Sequence, residues 1–159
     1  MSQVALDRKV PDFTADATGD RQVRLADLRG RKVVLYFYPR DSTPGCTTEG
    51  REFGELHEQF QQAGCEVFGI SKDSLRKHEN FKAKQGFPFE LISDPDEKLC
   101  RLFDVIKLKK MYGKEFEGIE RSTFLIDEDG KLRAEWRKVK PAGHAADVLE
   151  QVRALDQTA

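Results

Sequence analysis

The cysteine at position 46 is the residue in this sequence best placed to act as a nucleophile. It lies in "STPGCTTEG", directly after the apolar run "KVVLYFY" (32–38), which predicts a buried central strand. Apolar residues then recur at spacings of three and four, which predicts a helix from Cys46 to Ala63 with Gly64 as its stop. A helix N-terminus offers partial positive charge and free N–H groups, and both favour a thiolate over a thiol. We therefore expect Cys46 to be reactive rather than a packing residue.

The residues just before Cys46 suit this chemistry. Pro39 ends the strand and can shield the sulfur from water without adding an N–H group of its own. Thr43 carries a hydroxyl that can donate to a sulfur anion or to an attacked oxygen, and Ser42 could compete for that role. Gly45 lets backbone amides approach an anionic or dipolar ligand. The loop therefore predicts a shielded thiolate that reacts with a neutral electrophile.

The rest of the chain predicts the elements that hold this loop. Strands alternating with helices imply parallel pairing, so we expect an α/β fold in which a central mixed sheet is flanked by helices on both faces. The chain is expected to form one domain over residues 1–159. Beyond the first strand and helix, the pattern predicts a small hairpin at "TGDR" followed by a helical turn, strands at 65–71 and 89–93, helices at 74–86 and 94–105, a hairpin of 122–127 with 131–137, and a last helix at 144–155.

Composition excludes several classes of function. The 159 residues contain 27 lysines and arginines against 28 aspartates and glutamates, so no global field attracts nucleic acid or an anionic membrane. No apolar run approaches the roughly 20 residues of a membrane helix, and the N-terminus lacks the apolar core of a signal peptide. We therefore expect a cytoplasmic protein with no nucleic-acid or membrane partner. Three scattered cysteines without a Cys-x-x-Cys pattern indicate neither a disulfide framework nor a metal site.

The stretch "YPRDSTPGC", with Pro39, Thr43 and Cys46, resembles the Pro-x-x-x-Thr/Ser-x-x-Cys signature of peroxiredoxins. Further segments, "LYFYP", "GISKDS", "LISDPDEKLCRLFDV", "GIERSTFLID" and "GHAADVLEQVRAL", resemble the bacterioferritin comigratory protein or peroxiredoxin Q subfamily over nearly the whole chain. The resemblance implies a thioredoxin-like fold and a thiol-dependent peroxidase that needs no cofactor or metal. Its substrate would be hydrogen peroxide or an organic hydroperoxide, and Cys46 would be the peroxidatic cysteine that becomes a sulfenic acid.

The same resemblance implies that Thr43 and Arg121 hold the peroxide oxygens, while Pro39 limits solvent access. Fixed donors aimed at the leaving oxygen would lower the barrier most, and a guanidinium keeps its charge and offers several donors in one plane. Glu49, one turn after Cys46, is expected to orient an arginine such as Arg121 by a charge-assisted hydrogen bond. The alternative for Arg121 is an ordinary surface ion pair.

A resolving cysteine is missing from both places where the subfamily carries one. The position five residues after Cys46 is Arg51, and the helix segment "NFKAKQG" (80–86) has no cysteine either. Cys100 is predicted to be buried and structural, whereas Cys65 follows a helix-to-strand turn and is expected to be more accessible. A disulfide from Cys46 to Cys65 would have to bridge opposite ends of a helix about 25 Å long. Both remain candidates for resolving cysteines.

These absences predict a one-cysteine cycle with an external reductant, which would be thioredoxin, glutaredoxin or a low-molecular-weight thiol. An intermolecular disulfide stays open, and a monomer is expected by analogy with the subfamily. One alternative function is a peroxide sensor or redox relay that reacts without efficient turnover. Another is a holdase-like or structural protein in which the cysteine is incidental. A disulfide reductase is disfavoured because the sequence has no Cys-x-x-Cys.

The sequence is less specific about the histidines and about one basic segment. His57, His78 and His144 lie in or beside charged helical stretches without a second ligand at metal spacing, so they are expected on the surface. The basic segment "KLKKMYGK" (107–114) is expected to be a solvated loop that can border the active site.

Overall fold

The computed structural model describes residues 4–157 and has a seven-stranded mixed sheet at its centre. Its middle strand is the predicted apolar run, and every residue of that strand is buried. The strands of the sheet are β1 (Thr14–Ala17), β2 (Arg21–Arg24), β3 (Lys32–Phe37), β4 (Cys65–Ser71), β5 (Glu90–Ser93), β8 (Ser122–Ile126) and β9 (Leu132–Trp136). They lie in the order β2-β1-β5-β4-β3-β8-β9. Strands β3, β4 and β5 run parallel, and β8 pairs antiparallel with β3, so the predicted mixed sheet is confirmed.

Helices cover the sheet at α1 (Pro44–Glu55), α2 (His57–Gln62), α3 (Leu75–Gln85), α4 (Lys98–Leu102) and α5 (His144–Gln157), with a 3₁₀ turn at Leu25–Leu28. The prediction of a single helix from Cys46 to Ala63 is wrong in one respect. The segment forms two helices, separated at Leu56, whose ψ of 1° lies outside the helical range. The break lets α1 pack on α5 while α2 packs on β4.

Two separate hydrophobic clusters lie on opposite faces of the sheet. Because neighbouring side chains of a strand point to opposite faces, Leu35 and Phe37 enter one cluster and Tyr36 enters the other. Cys100 belongs to the cluster with Phe37, and Cys46 belongs to the cluster with Tyr36. The sheet therefore separates these two thiols.

The basic segment predicted to be a solvated loop is instead a hairpin of β6 (Ile106–Met111) and β7 (Lys114–Ile119), which pair antiparallel apart from the main sheet. Tyr112 and Gly113 both have positive φ, at 53° and 76°, which is the backbone of the two-residue turns that join twisted strands. Lys110 and Lys114 are exposed as expected, but on strands rather than in a loop, whereas Lys107 and Lys109 are half-buried. Among residues 4–157, no helix is long and apolar enough to cross a membrane.

Candidate active site

Cys46 lies in the first turn of α1, at the end of the sheet where β3 runs out. Pro44 occupies the start of the helix and Thr43 precedes it with extended backbone, so the predicted start is confirmed within two residues. The Cys46 side chain is only 2% exposed. The sulfur is therefore both screened from water and close to the unpaired N–H groups of a helix start.

Arg121 reaches the sulfur from the neighbouring strand. It stands directly before β8, and the pairing of β8 with β3 sets Ser122 opposite Phe37, so the two strand ends meet beside α1. Its Nη2 donates to the Sγ of Cys46 at 3.4 Å, and its Nη1 donates to the Oε1 of Glu49 at 2.6 Å. One guanidinium thus bridges the sulfur and a carboxylate, rather than forming a surface ion pair.

The electrostatics of this cluster follow from its burial. The Glu49 side chain is fully buried, and the loss of solvation raises its pKa to about 7 even though Arg121 opposes the shift. Its second oxygen, Oε2, has no hydrogen-bond partner in the described part of the chain. For Arg121, burial lowers the pKa, but Glu49 and Cys46 outweigh it and leave the pKa above its ordinary value. The guanidinium therefore stays charged at any working pH.

Gly45 packs closely against the residues of this cluster. A Cβ at that position would lie 3.1 Å from the Nη2 of Arg121 and 3.3 Å from the Cγ of Pro141. A Cβ would therefore require the guanidinium that contacts Cys46, or the ring of Pro141, to shift by a few tenths of an ångström. The structure gives Gly45 a steric reason, where the sequence had suggested only the approach of backbone amides to a ligand.

Thr43 and Pro39 occupy the loop as predicted but with different contacts. The Thr43 hydroxyl donates to the backbone oxygen of Arg40 at 2.9 Å, so its hydrogen does not point to the sulfur and its oxygen is left to accept. Pro39 is exposed. Its role as a water shield stays a prediction. Ser42, the competitor for the role of Thr43, has φ of 64°, in the left-handed region.

The surroundings of the two other cysteines disfavour their thiolates. Cys65, expected to be accessible, is fully buried, and burial raises its pKa to about 12. That expectation is wrong because the Cys65 side chain belongs to the buried hydrophobic cluster that also contains Tyr36. Cys100 is fully buried as predicted, and burial together with the nearby Asp94 raises its pKa far above the ordinary value.

Neither cysteine can reach Cys46 within this fold. Cys65 pairs with the first residue of β3, whereas Cys46 follows its last residue, and a strand of that length spans about 17 Å. Cys100 lies across the sheet. A disulfide needs Cα atoms within roughly 7 Å. Arg51, at the usual resolving position, is exposed on α1.

Sequence reasoning missed two buried histidines near the site. His78 is fully buried and His144 is 5% exposed, so the surface expectation is wrong for both, whereas His57 is half-buried. His144 accepts from or donates to the Thr123 hydroxyl at 2.7 Å, and burial lowers its pKa to about 4. For His78 a signal existed, because it lies three residues before the buried Phe81 on the same helix face.

Comparisons with known proteins identify the family to which the chain belongs. Residues 6–135 match the model of the AhpC/TSA family, and the chain belongs to that family. It is 54% identical over 143 residues to Peroxiredoxin Bcp of Xanthomonas campestris, covering 90% of this chain and 89% of that protein. It is 46% identical over 154 residues to Peroxiredoxin Bcp of Bacillus subtilis, covering 97% and 98%. A crystal structure of a mutant of Xylella fastidiosa PrxQ superposes with a TM-score of 0.92 at 43% identity, covering 98% and 99%.

Membership of this family defines the class of protein. The thioredoxin-like fold predicted from the sequence is confirmed, and the protein is a thiol-dependent peroxidase of the peroxiredoxin type. Its chemistry therefore takes a peroxide as oxidant and a thiol as reductant. Among residues 4–157, no group of three His, Cys, Asp or Glu side chains could hold a metal ion.

Proposed function

We propose that Cys46 is the peroxidatic cysteine and that the protein reduces hydrogen peroxide and organic hydroperoxides by a one-cysteine cycle. The observation that supports this most is the 3.4 Å contact between the Arg121 guanidinium and the Cys46 sulfur in a site almost closed to water. A positive charge held beside the sulfur stabilises a thiolate and remains in place when negative charge moves to oxygen.

In the first step the Cys46 thiolate attacks one peroxide oxygen. The S–O bond forms as the O–O bond breaks, and the leaving oxygen takes the electron pair and, by way of solvent, the proton that the Cys46 thiol released on ionising, to become water or an alcohol. Cys46 is oxidised to a sulfenic acid and the peroxide is reduced. Arg121 has donors left beyond those used on Glu49 and the sulfur, and these can hold the oxygen on which charge develops. Thr43 can accept from the peroxide hydrogen, since its own hydrogen is committed to Arg40.

In the second step an external thiol attacks the sulfenic acid and releases water, which leaves Cys46 in a mixed disulfide. A second thiol then attacks that disulfide and restores the Cys46 thiol. This assignment is supported by Arg51 at the usual resolving position and by the sheet and strand that separate Cys46 from the other two thiols. The reductant would be thioredoxin, glutaredoxin or a low-molecular-weight thiol.

The substrate range extends to organic hydroperoxides by similarity. One relative, the bacterioferritin comigratory protein of Xanthomonas campestris, is described for its alkyl peroxide reduction activity. The hydrogen bonds proposed for Arg121 and Thr43 involve only the two peroxide oxygens. The same first step therefore accommodates an alkyl group on the leaving oxygen. We further propose that the protein acts as a monomer in the cytoplasm.

The test is to add one equivalent of peroxide to the reduced protein, trap thiols and sulfenic acid, and measure the intact mass and the modified positions. A sulfenic acid on Cys46 with Cys65 and Cys100 still free is expected. Loss of two thiols to an intramolecular disulfide would overturn the one-cysteine cycle. No modification of Cys46 would overturn its assignment as the peroxidatic residue.

The missing resolving cysteine also favours a second candidate, a sensor that reacts once and passes its oxidation to a partner. Multiple turnovers with a generic dithiol and excess peroxide separate the two functions, because a sensor stops after one equivalent. Since no nearby thiol captures the sulfenic acid, we expect progressive overoxidation at high peroxide, visible as a mass gain of two or three oxygens on Cys46. Unchanged turnover after many cycles at high peroxide would contradict this expectation.

A further inference from the structure

A buried chain of polar side chains lies behind the loop that carries Cys46. The Tyr38 hydroxyl donates to the Oδ1 of Asp41 at 2.6 Å, and the Oδ2 of Asp41 lies 2.6 Å from the Nδ1 of His78. The other ring nitrogen of His78, Nε2, lies 2.9 Å from the backbone oxygen of Ile92 on β5. Tyr38 is 1% exposed, Asp41 8% and His78 0%. The peroxidase chemistry proposed above uses none of the three.

The hydrogen bonds determine the protons of this chain. A carbonyl oxygen cannot donate, so the Nε2 of His78 carries the hydrogen that points to Ile92. One further proton lies between Nδ1 and the Asp41 carboxyl group. Whichever atom holds it, His78 and Asp41 together are neutral, and both carboxyl oxygens are satisfied. Such a fully paired network is stable in the interior, whereas a partly paired one is costly.

This chain fixes the backbone just before the catalytic helix. Asp41 also donates its backbone N–H to the Oδ2 of Asp73 at 2.7 Å, and Tyr38 donates its own to Ile70 at 3.0 Å. Asp41 is therefore attached to α3 through His78 and to the loop before α3 through Asp73. The segment between β3 and α1 is thus fastened to the adjoining strand-helix unit.

The neighbours of Asp41 show what this attachment controls. On one side, Arg40 offers the backbone oxygen that accepts from the Thr43 hydroxyl at 2.9 Å. On the other, Ser42 holds a left-handed φ of 64°, a conformation that persists only where the surroundings enforce it. The orientation of the Thr43 hydroxyl therefore depends on where Asp41 is held.

We infer that Tyr38, Asp41 and His78 are positioning residues for the peroxidase reaction, acting through the Arg40 carbonyl to aim the Thr43 oxygen at the peroxide. This inference rests on the proposed function, because it takes Cys46 as the site of attack. It predicts that breaking the chain slows attack on peroxide without making the sulfur less reactive in general.

The experiment compares two reactions of Cys46 in Asp41→Ala and Asp41→Asn. Alanine removes all side-chain contacts. Asparagine keeps them, because its oxygen accepts from Tyr38 and its amide donates to a neutral His78. The first reaction is oxidation by hydrogen peroxide, and the second is alkylation by iodoacetamide, which has no peroxide oxygens to orient. Arg76→Ala is the matched control, since Arg76 is exposed on the same helix as His78.

We expect Asp41→Ala to slow peroxide oxidation by about 10²-fold, the effect of misplacing a reacting group by about 1 Å. Its alkylation rate should stay within about twofold of wild type, and Asp41→Asn should retain the peroxide rate within about threefold. A peroxide rate unchanged in Asp41→Ala, an equal fall in both reactions, or an asparagine variant as slow as alanine would each overturn the inference. If wild-type Cys46 itself fails to react with peroxide, the proposed function fails instead.

Two further measurements cover a variant that does not fold. The amide nitrogen of asparagine lies near the position of Nδ1 and that of glutamine near Nε2, so His78→Asn should oxidise faster than His78→Gln. In a Thr43→Val background, Tyr38→Phe should have little further effect on the peroxide rate. Tyr38 is inferred to act by orienting the Thr43 hydroxyl, and valine has no hydroxyl to orient. Equal rates for the two His78 variants, or additive effects of the Tyr38 and Thr43 changes, would contradict the inference.

Discussion

Cys46 and Cys100 are equally hidden from water, yet their surroundings are opposite. Cys46 is 2% exposed and Cys100 is 0% exposed. The sulfur of Cys46 accepts from the Arg121 guanidinium at the start of a twelve-residue helix. Cys100 lies beside Asp94, whose carboxylate accepts from the backbone N–H of Cys100 itself at 2.8 Å. The charge next to the sulfur is positive in one case and negative in the other.

With the role proposed for Cys46, this comparison means that burial by itself does not decide whether a thiol reacts. Desolvation disfavours the thiolate at every buried site, so a reactive cysteine needs a local charge or donor that outweighs it. Cys65 has a positive charge nearby that does not outweigh the effect of burial. Lys32 opposes the effect of burial there, but the pKa of Cys65 still rises to about 12.

The largest difference in peroxide consumption should be between the variants in which serine replaces either Cys46 or Cys100. We expect Cys46→Ser to lower peroxide consumption by on the order of 10³-fold or more, because a serine hydroxyl is far less ionised than a thiol. Cys100→Ser should consume peroxide at the wild-type rate. Steady-state turnover with a dithiol reductant measures both. A fully active Cys46→Ser variant, or an inactive but folded Cys100→Ser variant, would reverse the comparison.

The next largest effect should come from removing the charge beside Cys46. Arg121→Ala is expected to slow oxidation of Cys46 by peroxide by about 10²- to 10³-fold, the usual cost of losing a donor to a developing oxyanion. Arg121→Lys should recover part of this rate, because it restores the charge without the planar pair of donors that reaches both Glu49 and the sulfur. Stopped-flow measurement of the first step checks the order wild type, lysine, alanine. An alanine variant as fast as wild type would refute the role of the charge.

A smaller, pH-dependent effect is expected at Glu49. Its pKa of about 7 means that the carboxylate that holds Arg121 is present mainly above pH 7. The wild type should therefore oxidise about fivefold faster than Glu49→Gln at pH 8, the difference between a charge-assisted and a neutral hydrogen bond, and the two rates should converge by pH 5.5. Peroxide oxidation rates across this range give the profile. A ratio that does not change with pH would contradict it.

The raised pKa of Glu49 also affects stability. The free energy of unfolding should fall as the pH rises, whereas the oxidation rate relative to Glu49→Gln should increase. The folded protein binds a proton on Glu49 up to about pH 7, whereas an unfolded glutamate loses it near pH 4.5. The stability contributed by this group is thus fully present below pH 4.5 and is lost as the pH rises through 7. Glu49→Gln should lack this dependence. Between pH 6 and pH 8, the free energy of unfolding of the wild type should therefore fall relative to that of Glu49→Gln. Urea unfolding at the two pH values tests the sign.

The smallest effect is expected from trimming the inert thiol. Cys100→Ala should lower the free energy of unfolding by about 1 kcal/mol, since it removes one buried atom from a packed cluster. Its rate of peroxide consumption should be unchanged. Urea unfolding and turnover assays on the same preparation separate packing from chemistry, and a change in turnover without a change in stability would give Cys100 a role that the structure does not assign.

The sequence predicts elements well where a pattern repeats within one segment. The run before Pro39, the hairpin around residues 128–130 and the last helix are all found close to their predicted bounds. It predicts poorly what depends on a single turn, as at "KLKKMYGK", where Tyr112 and Gly113 reverse the chain between two strands. Periodicity carries no information about such a reversal when the residues next to the turn are exposed, as Met111 and Lys114 are.

The site was accessible to sequence reasoning only in part. Cys46 is marked by its own neighbours, but Arg121 was connected to it through resemblance, because the pairing of β3 with β8 that joins them is not visible in either segment. His78 was missed because lysines and glutamates surround it, although its spacing to Phe81 marks the buried face of α3. Contacts between elements require the topology, which local patterns do not fix.

The contact between Arg121 and Cys46 spans 75 residues of chain. At the usual speed of synthesis, Cys46 leaves the ribosome roughly 4–15 s before Arg121 does. Through that interval the nascent chain carries an ordinary thiol, because neither the guanidinium nor the strand that holds it has been made. With the role proposed for Cys46, reactivity toward peroxide is expected only once Ser122–Ile126 has docked on β3, so the thiol stays protected from early oxidation while the first half of the chain is being made.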